Sequence, residues 1–600
     1  MPRKGSLSIL GALLALGCGS GPQLFEDVAP RNGIEFISYS GDHLWYLVDT
    51  LGSGAAAGDY DGDGDPDLLL LTGGAILDEY REEAAEYSNA LLRNDGGGRF
   101  TDVTERAGLR FGGWSNGAVF GDYDGDADLD LYVVCHGPNL LYRNEGDGTF
   151  TEVGREAGVA HAGYGAGACF ADLDGDADLD LFVTNYAKYD LAEQKGKVQW
   201  FTDGVKQFPQ HFEPEDDVLY RNNGDGTFTD ITREAGAAGT GRGMTAMATD
   251  YDDDGDMDLA IVNDIGFDDL LRNDGGRFTD VSFESGFACN RDGKFEAGMG
   301  LAANDYDGDG DIDLIVTNYG GEQNTLFRNE GGGQFLDVTR EAGLRSQLVL
   351  DCVGWGVSMQ DFDLDGNVDI FVANGHVIPG VIAWYMKNFN DPSGDIPQMG
   401  PEAFRQGASQ PKHLFLGKGD GTFEDLEGRS GYEIESGRMS RGSVHADFDA
   451  DGRLDLAVIN KNEEAQILLN RMAPRGSWVI LDLRAPPPNV FAIGARVTIR
   501  AGGRTFTREL HAGSSYLSSD EPAVHAGLGR AERIDEVTVR WPGGPVEAFT
   551  NLPVNRRMTL RRGDSTVPQP PPQQQPAPAP VDPPLVPAAG VTPASASAGS

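Results

Sequence analysis

Positive charge is scarce in this chain. Lys and Arg number 47 against 95 Asp and Glu, giving a net charge of −48. So acidic a surface does not suit nucleic acid, whose phosphates require a basic face. It suits bound cations or a solvated acidic coat. Cysteine is scarcer still at five residues, none of them in a CxxC. Beyond the first twenty residues no stretch is long and apolar enough to cross a bilayer as a helix. The nine histidines follow no recognised ligand spacing. There is no HExxH, no GxSxG elbow, no phosphate loop and no paired-glutamate signature. A catalytic role, as a hydrolase or lyase of unidentified substrate, is therefore only an alternative to a binding role.

The chain begins MPRKGSLSILGALLALGCGS, with Arg3 and Lys4 ahead of an apolar run from Leu7 to Leu16. That run is too short to be a stable span and reads as an export signal over residues 1–18. Ala15-Leu16-Gly17-Cys18 resembles a bacterial lipobox, with Ala where Leu is commoner. The resemblance implies cleavage before Cys18 and lipidation of that residue. The alternative is an ordinary secretory signal that leaves Cys18 unmodified. Gly19 is not the Asp associated with inner-membrane retention, so the outer membrane or cell surface is expected, with the periplasmic side as the alternative. Four cysteines remain, and a Cys289–Cys352 disulfide competes with four buried free thiols.

Glycine is plentiful at 84 residues, as a chain of many tight turns requires. Much of it falls in one motif. DYDGDGDPDL from Asp59 returns from Asp122, Asp172, Asp250, Asp305, Asp361 and Asp447, the last two as DFDLDGNVDI and DFDADGRLDL. Copies recurring about every fifty residues are the signature of a closed repeat or solenoid. Positions one, three, five and nine are Asp in every copy. Loop one thus offers Asp59, Asp61, Asp63 and Asp67, and loop two Asp122, Asp124, Asp126 and Asp130. Loop three offers Asp172, Asp174, Asp176 and Asp180, and loop four Asp250, Asp252, Asp254 and Asp258. Loops five to seven offer Asp305, Asp307, Asp309 and Asp313, then Asp361, Asp363, Asp365 and Asp369, then Asp447, Asp449, Asp451 and Asp455. Position seven (Asp65, Asp128, Asp178, Asp256, Asp311, Asn367, Arg453) is expected to give its main-chain carbonyl. Alternate oxygen ligands on a tight loop converge on one hard cation, so up to seven calcium ions are expected. An EF-hand would need Glu at position twelve and a helix after it; Leu70 stands there, inside an apolar strand. Position six is usually Gly, which permits the sharp turn, but Ala127 and Ala177 break that rule.

Around each loop lie a small-residue segment such as GAVF or GMGLAA, an apolar strand such as LYVV, a strand such as LLYRN, a Gly-rich turn and a strand such as FTDV. Four strands per unit describe a propeller blade. FxDV-type strands begin at Phe25, Phe100, Phe150, Phe228, Phe278, Phe335 and Phe423; the first precedes any loop and none follows the last unit. Phe25 to Val28 should therefore complete the seventh blade and remove the open edge. These features resemble the FG-GAP or VCBS repeats of integrin α-subunit propellers, which implies an all-β, seven-bladed β-propeller over residues 19–475 with calcium in its loops.

Strand alternation puts the acidic loops on one face and the second-to-third-strand connections on the other. The long insertions (73–89, 186–217 and about 375–412) fall on that second face. Trp200, Phe208, Trp384 and Tyr385 give two of them an aromatic load, for partner binding or for small cores of their own. His136, His161, His211 and His376 should map there too, a weak basis for a transition-metal centre. From Trp478 the acidic loops stop, and AIGARVTI, RELHAGSSYLSS, VHAGLG and VTVRWPGG resemble the ASPIC/UnbV domain found after such repeats in bacterial relatives of cartilage acidic protein. NVFAIGA departs from that domain's usual Asn-Arg. A small β-sandwich or half-barrel is expected over 476–563. Residues 564–600, rich in Pro and Ala, read as an extended tail. The whole is read as a monomeric, calcium-binding adhesion scaffold for an extracellular protein or a glycan, touching membrane only through its lipid.

Overall fold

The computed structural model describes residues 23–39, 51–74, 87–190, 209–239, 241–377 and 407–565. Within them the chain is all-β apart from helices of a single turn. The repeat region forms five antiparallel sheets of four strands and one of eight. The eight-stranded sheet is two four-stranded halves, joined where Ala162, Gly163 and Tyr164 pair with Pro138, Gly137 and His136.

Each unit is a meander with the acidic loop between its first two strands. In the first unit Ala55–Gly58, Asp67–Leu70, Ala90–Asn94 and Phe100–Asp102 pair in that order. The second strand is apolar on both faces because both are covered: Leu68, Leu69 and Leu70 are all buried. After the fourth strand the Asp102 carboxylate accepts a hydrogen bond from the Thr104 amide, opening the turn Thr104–Ala107, and Gly108 stops it at φ 78°. The final unit takes its outermost strand from the other end of the repeat region: Phe25–Asp27 pairs with Gln466–Asn470, Phe25 opposite Asn470. First strands contact one another in chain order, from Ala55–Gly58 and Ser115–Gly121 onward, and Ser440–Ala446 contacts Ala55–Gly58 in turn.

The asparagine that ends each LYRN-type strand fastens neighbouring units. Asn144 Nδ2 donates to Leu129 O of its own loop and to Tyr60 O of the loop before it. Asn222, Asn273 and Asn329 repeat the pattern. Asn94 reaches Phe448 O, which belongs to loop seven.

The C-terminal region is two sheets. Ser477–Arg484 lies between Val524–Gly529, antiparallel, and Arg556–Arg561, parallel. Arg504–Glu509, Arg496–Ala501, Ile534–Arg540 and Val546–Leu552 make the other. Val479, Leu481, Ile499, Val537 and Trp541 fill the space between them.

The disulfide expectation is corrected. Cys135, Cys169, Cys289 and Cys352 are all free, and Cys352 Sγ sits 4.0 Å from His413 Nε2 instead. Burial pushes the Cys135, Cys169 and Cys352 thiols up to about 12, which makes them inert packing residues.

Candidate metal loops and the domain seated on them

The acidic loops fold around their own carboxylates. At position one, Asp122 Oδ1 accepts from the Gly125 and Asp126 amides while Oδ2 accepts from Ala127 N. At position nine, Asp67 Oδ1 accepts from Asn94 N and Oδ2 from Tyr60 N, so this aspartate ties the loop to the third strand. Asp130, Asp180 and Asp313 do the same. Position six is left-handed in each loop, including Ala127 at φ 81° and Ala177 at φ 79°, where a Cβ is strained.

The wrapping gathers oxygens. One ligand atom each from Asp59, Asp61 and Asp67 lies within 4.8 Å of the others, as in Asp122, Asp124 and Asp130. The sets Asp172, Asp174, Asp180 and Asp305, Asp307, Asp313 match, while loop four gathers Asp250, Asp252 and Asp254. Desolvation by burial, with like charge adding to it, pushes the Asp67, Asp130, Asp258 and Asp313 carboxyls up to about 9. Asp59 rises to about 6 and Asp122 to about 7 for the same reasons. Asp178 Oδ1, Asp252 Oδ1 and Asp258 Oδ2 are buried without any hydrogen-bond partner. An all-oxygen donor set with unsatisfied buried lone pairs fits a hard divalent cation.

No local pattern in the chain marks what is seated on this face. The C-terminal domain is seated on the loops. Arg496 Nη2 donates to Gly310 O, Arg504 Nη2 to Gly366 O and to Asn367 Oδ1, and His525 Nε2 lies 3.0 Å from Gly452 O. Arg540 pairs with Asp250 and lies 3.1 Å from Asp253 Oδ1. The segment AGSSYLSS (512–519) then enters the axis between the first strands. Phe170 bridges to Ala512, Leu301 to Ser515 and Ala56 to Ser519. Ala55 N donates to Ser518 Oγ and Val357 N to Ser515 Oγ. Fully buried Tyr516 meets the Trp355 ring edge-on at 4.8 Å and donates to Leu51 O. The Arg441 guanidinium lies 4.2 Å from the Trp355 ring centre. The small residues of the first strands make room both for this insertion and for one another: a Cβ on Gly54 would lie 1.7 Å from Leu517 O, and one on Gly300 2.2 Å from Trp355 O of the next first strand.

The opposite face holds His136, His161 and His376, each beside aromatic or carboxylate neighbours. His136 packs on Tyr164 and Tyr189, His161 lies 3.6 Å from Glu215, and His376 packs on Tyr319. Cys18, Trp200, Phe208, Trp384 and Tyr385 lie outside the described residues. The same face carries three rings that sequence reading passed over. Phe267 sits 4.9 Å from Phe283 and 5.7 Å from Phe295, and the three are 39%, 63% and 49% exposed. Single phenylalanines on connections gave no signal of contact. No helix among the described residues is long and apolar enough to cross a membrane.

Comparison with known proteins places the two parts. FG-GAP-like repeat matches cover residues 59–133, 122–183, 212–261 and 305–372, and an ASPIC and UnbV match covers 485–567. Mouse cartilage acidic protein 1 is 27% identical over 368 residues, covering 52% of this chain and 54% of that protein. Its human counterpart is 28% identical over 305 residues, covering 44% of this chain and 43% of that protein. The matched region thus spans about half the length of these relatives. Among solved structures, an Agrocybe aegerita lectin that recognises non-reducing terminal N-acetylglucosamine aligns at TM-score 0.34 and 15% identity, over 69% of this chain and 87% of that one. The exotype rhamnogalacturonan lyase YesX aligns at 0.30 and 15%, over 74% and 72%. Likeness at that level carries neither fold nor function.

Proposed function

The chain belongs to the family that joins FG-GAP-like repeats to an ASPIC and UnbV domain, and from that premise we propose that it is a calcium-stabilised binding scaffold. In this reading the repeat region is a closed seven-bladed β-propeller. The pairing of Phe25–Asp27 with Gln466–Asn470 and the Asn94 bond to loop seven support closure. Calcium fills the acidic loops, where the oxygen sets Asp59, Asp61, Asp67 and their equivalents converge. The protein is exported and anchored by lipid at Cys18, and it holds an extracellular protein or glycan.

One observation carries the choice of binding face. The C-terminal domain is seated on the loop face at Asp250, Gly310, Gly366 and Gly452 and fills the space between the first strands, while the other face exposes the Phe267, Phe283 and Phe295 cluster. Apolar rings left in water on a chain of net charge −48 mark a contact surface. The rings meet at 61° and 81°, forming a knob instead of a flat platform, which favours a protein pocket over a sugar ring. A photo-crosslinking residue at 283 should give one dominant adduct on intact cells. The purified partner should then bind the Phe283→Ser, Phe295→Ser variant at least tenfold more weakly. A glycan array run with calcium and with chelator tests the lectin alternative. Equal binding of wild type and variant would reject the knob.

A further inference from the structure

Loop seven differs from the other six. In DFDADGRLDL, position seven is Arg453, and its guanidinium folds back to pair with Asp451 at position five while Nε donates to Asn470 O. A second guanidinium, Arg471, lies 2.7 Å from Asp449 Oδ2 at position three and 3.8 Å from Asp451 Oδ2. Both arginine side chains are mostly covered, at 17% and 31% exposure. The pairing uses Asp449 Oδ2 and Asp451 Oδ2 and leaves Asp449 Oδ1 buried without a hydrogen-bond partner; no other loop has two guanidinium groups on its ligand carboxylates among the described residues. Arg475 reaches Asp363 and Asp365 of loop six, the same two positions, but as a single guanidinium on a side chain 56% exposed. Arg540 at loop four meets Asp250 and Asp253 and leaves Asp252 and Asp254 unpaired. In loops one, two, three and five, among the described residues, no cationic side chain is within ion-pair distance of the ligand carboxylates.

Two guanidinium groups bring the same 2+ charge as one calcium ion, through fixed forks that match carboxylates, and they do not dissociate on dilution or chelation. An ion at the same place would have to displace both and then sit beside them. We infer that loop seven is an arginine-closed latch and not a resident cation site. Arg471 extends the latch: its Nη2 lies 3.0 Å from Glu26 Oε2, on the strand that the start of the repeat region contributes to this last sheet. The latch therefore spans Glu26, Arg471, Asp449, Asp451 and Arg453, and fastens the two ends of the repeat region without metal.

The inference rests on the reading of the other loops as calcium sites, and the experiment separates the two. Bound calcium per chain is counted by metal analysis of the exported full-length protein after gel filtration at saturating calcium. Asp61→Asn in loop one should lower the count by one, and Asp449→Asn in loop seven should leave it unchanged. Arg453→Asp combined with Arg471→Ala restores an all-acid loop and should raise the count by one. If that variant fails to fold, the Asp449→Asn comparison still decides. A fall by one in Asp449→Asn overturns the latch. A wild-type count of zero overturns the calcium reading and the latch with it.

Discussion

Aspartates packed side by side carry opposite consequences with and without a cation. The Asp67, Asp130, Asp258 and Asp313 carboxyls sit near 9 in the folded chain because burial disfavours their charge, against an ordinary value of about 3.9 unfolded. A raised folded-state value means the folded form holds extra protons between those limits. In chelator, stability is therefore full below about pH 4 on this account and is lost progressively as pH climbs from about 4 to about 9. Calcium bound in the loops as proposed would remove the need for those protons. Melting temperature in chelator should fall steadily from pH 5 to pH 9, and in calcium that fall should vanish. Parallel declines in both buffers would contradict the assignment of these groups as ligands. The residue pattern made this chemistry legible, since alternate Asp on a short loop leaves few other uses. It could not show that position nine is also a hinge bond to the third strand.

Strands and their connections were nearly all readable, because period-two alternation, LYRN-type strands and Gly-rich turns agree with one another. One element carries a second role. The small residues of the first strands let neighbouring first strands approach closely, and they are also the walls of a slot for 512–519. Nothing local marks AGSSYLSS as an insertion, since its partners lie hundreds of residues away and its serines match any surface turn. Tyr516 is the test at this scale. It is fully buried among Leu51, Trp355 and Leu517. Tyr516→Ala should cost about 3–5 kcal/mol, the range for deleting a buried aromatic. Denaturant unfolding at saturating calcium measures it. A loss under about 1 kcal/mol would mean the segment merely rests on the axis.

For the whole molecule the governing quantity is the charge of −48. Metal-free, the folded state concentrates that charge at the loops, and self-repulsion destabilises it. Raising sodium chloride in chelator should therefore raise the melting temperature, because screening shortens the reach of repulsion to about 10 Å at 0.1 M. In calcium the same salt series should change it little. A flat series in both would remove repulsion as the reason these loops need an ion.

The chain itself determined the repeat, its strands, the oxygen-donor loops and the second β region, because each depends on residues close in sequence and on a period that recurs. Only the folded arrangement decided that the C-terminal sheets cap the loops, that Tyr516 fills the axis, and that Arg471 and Arg453 close loop seven. Those contacts join side chains from distant segments. Their partners are fixed by where rigid sheets bring them, and no local pattern encodes that.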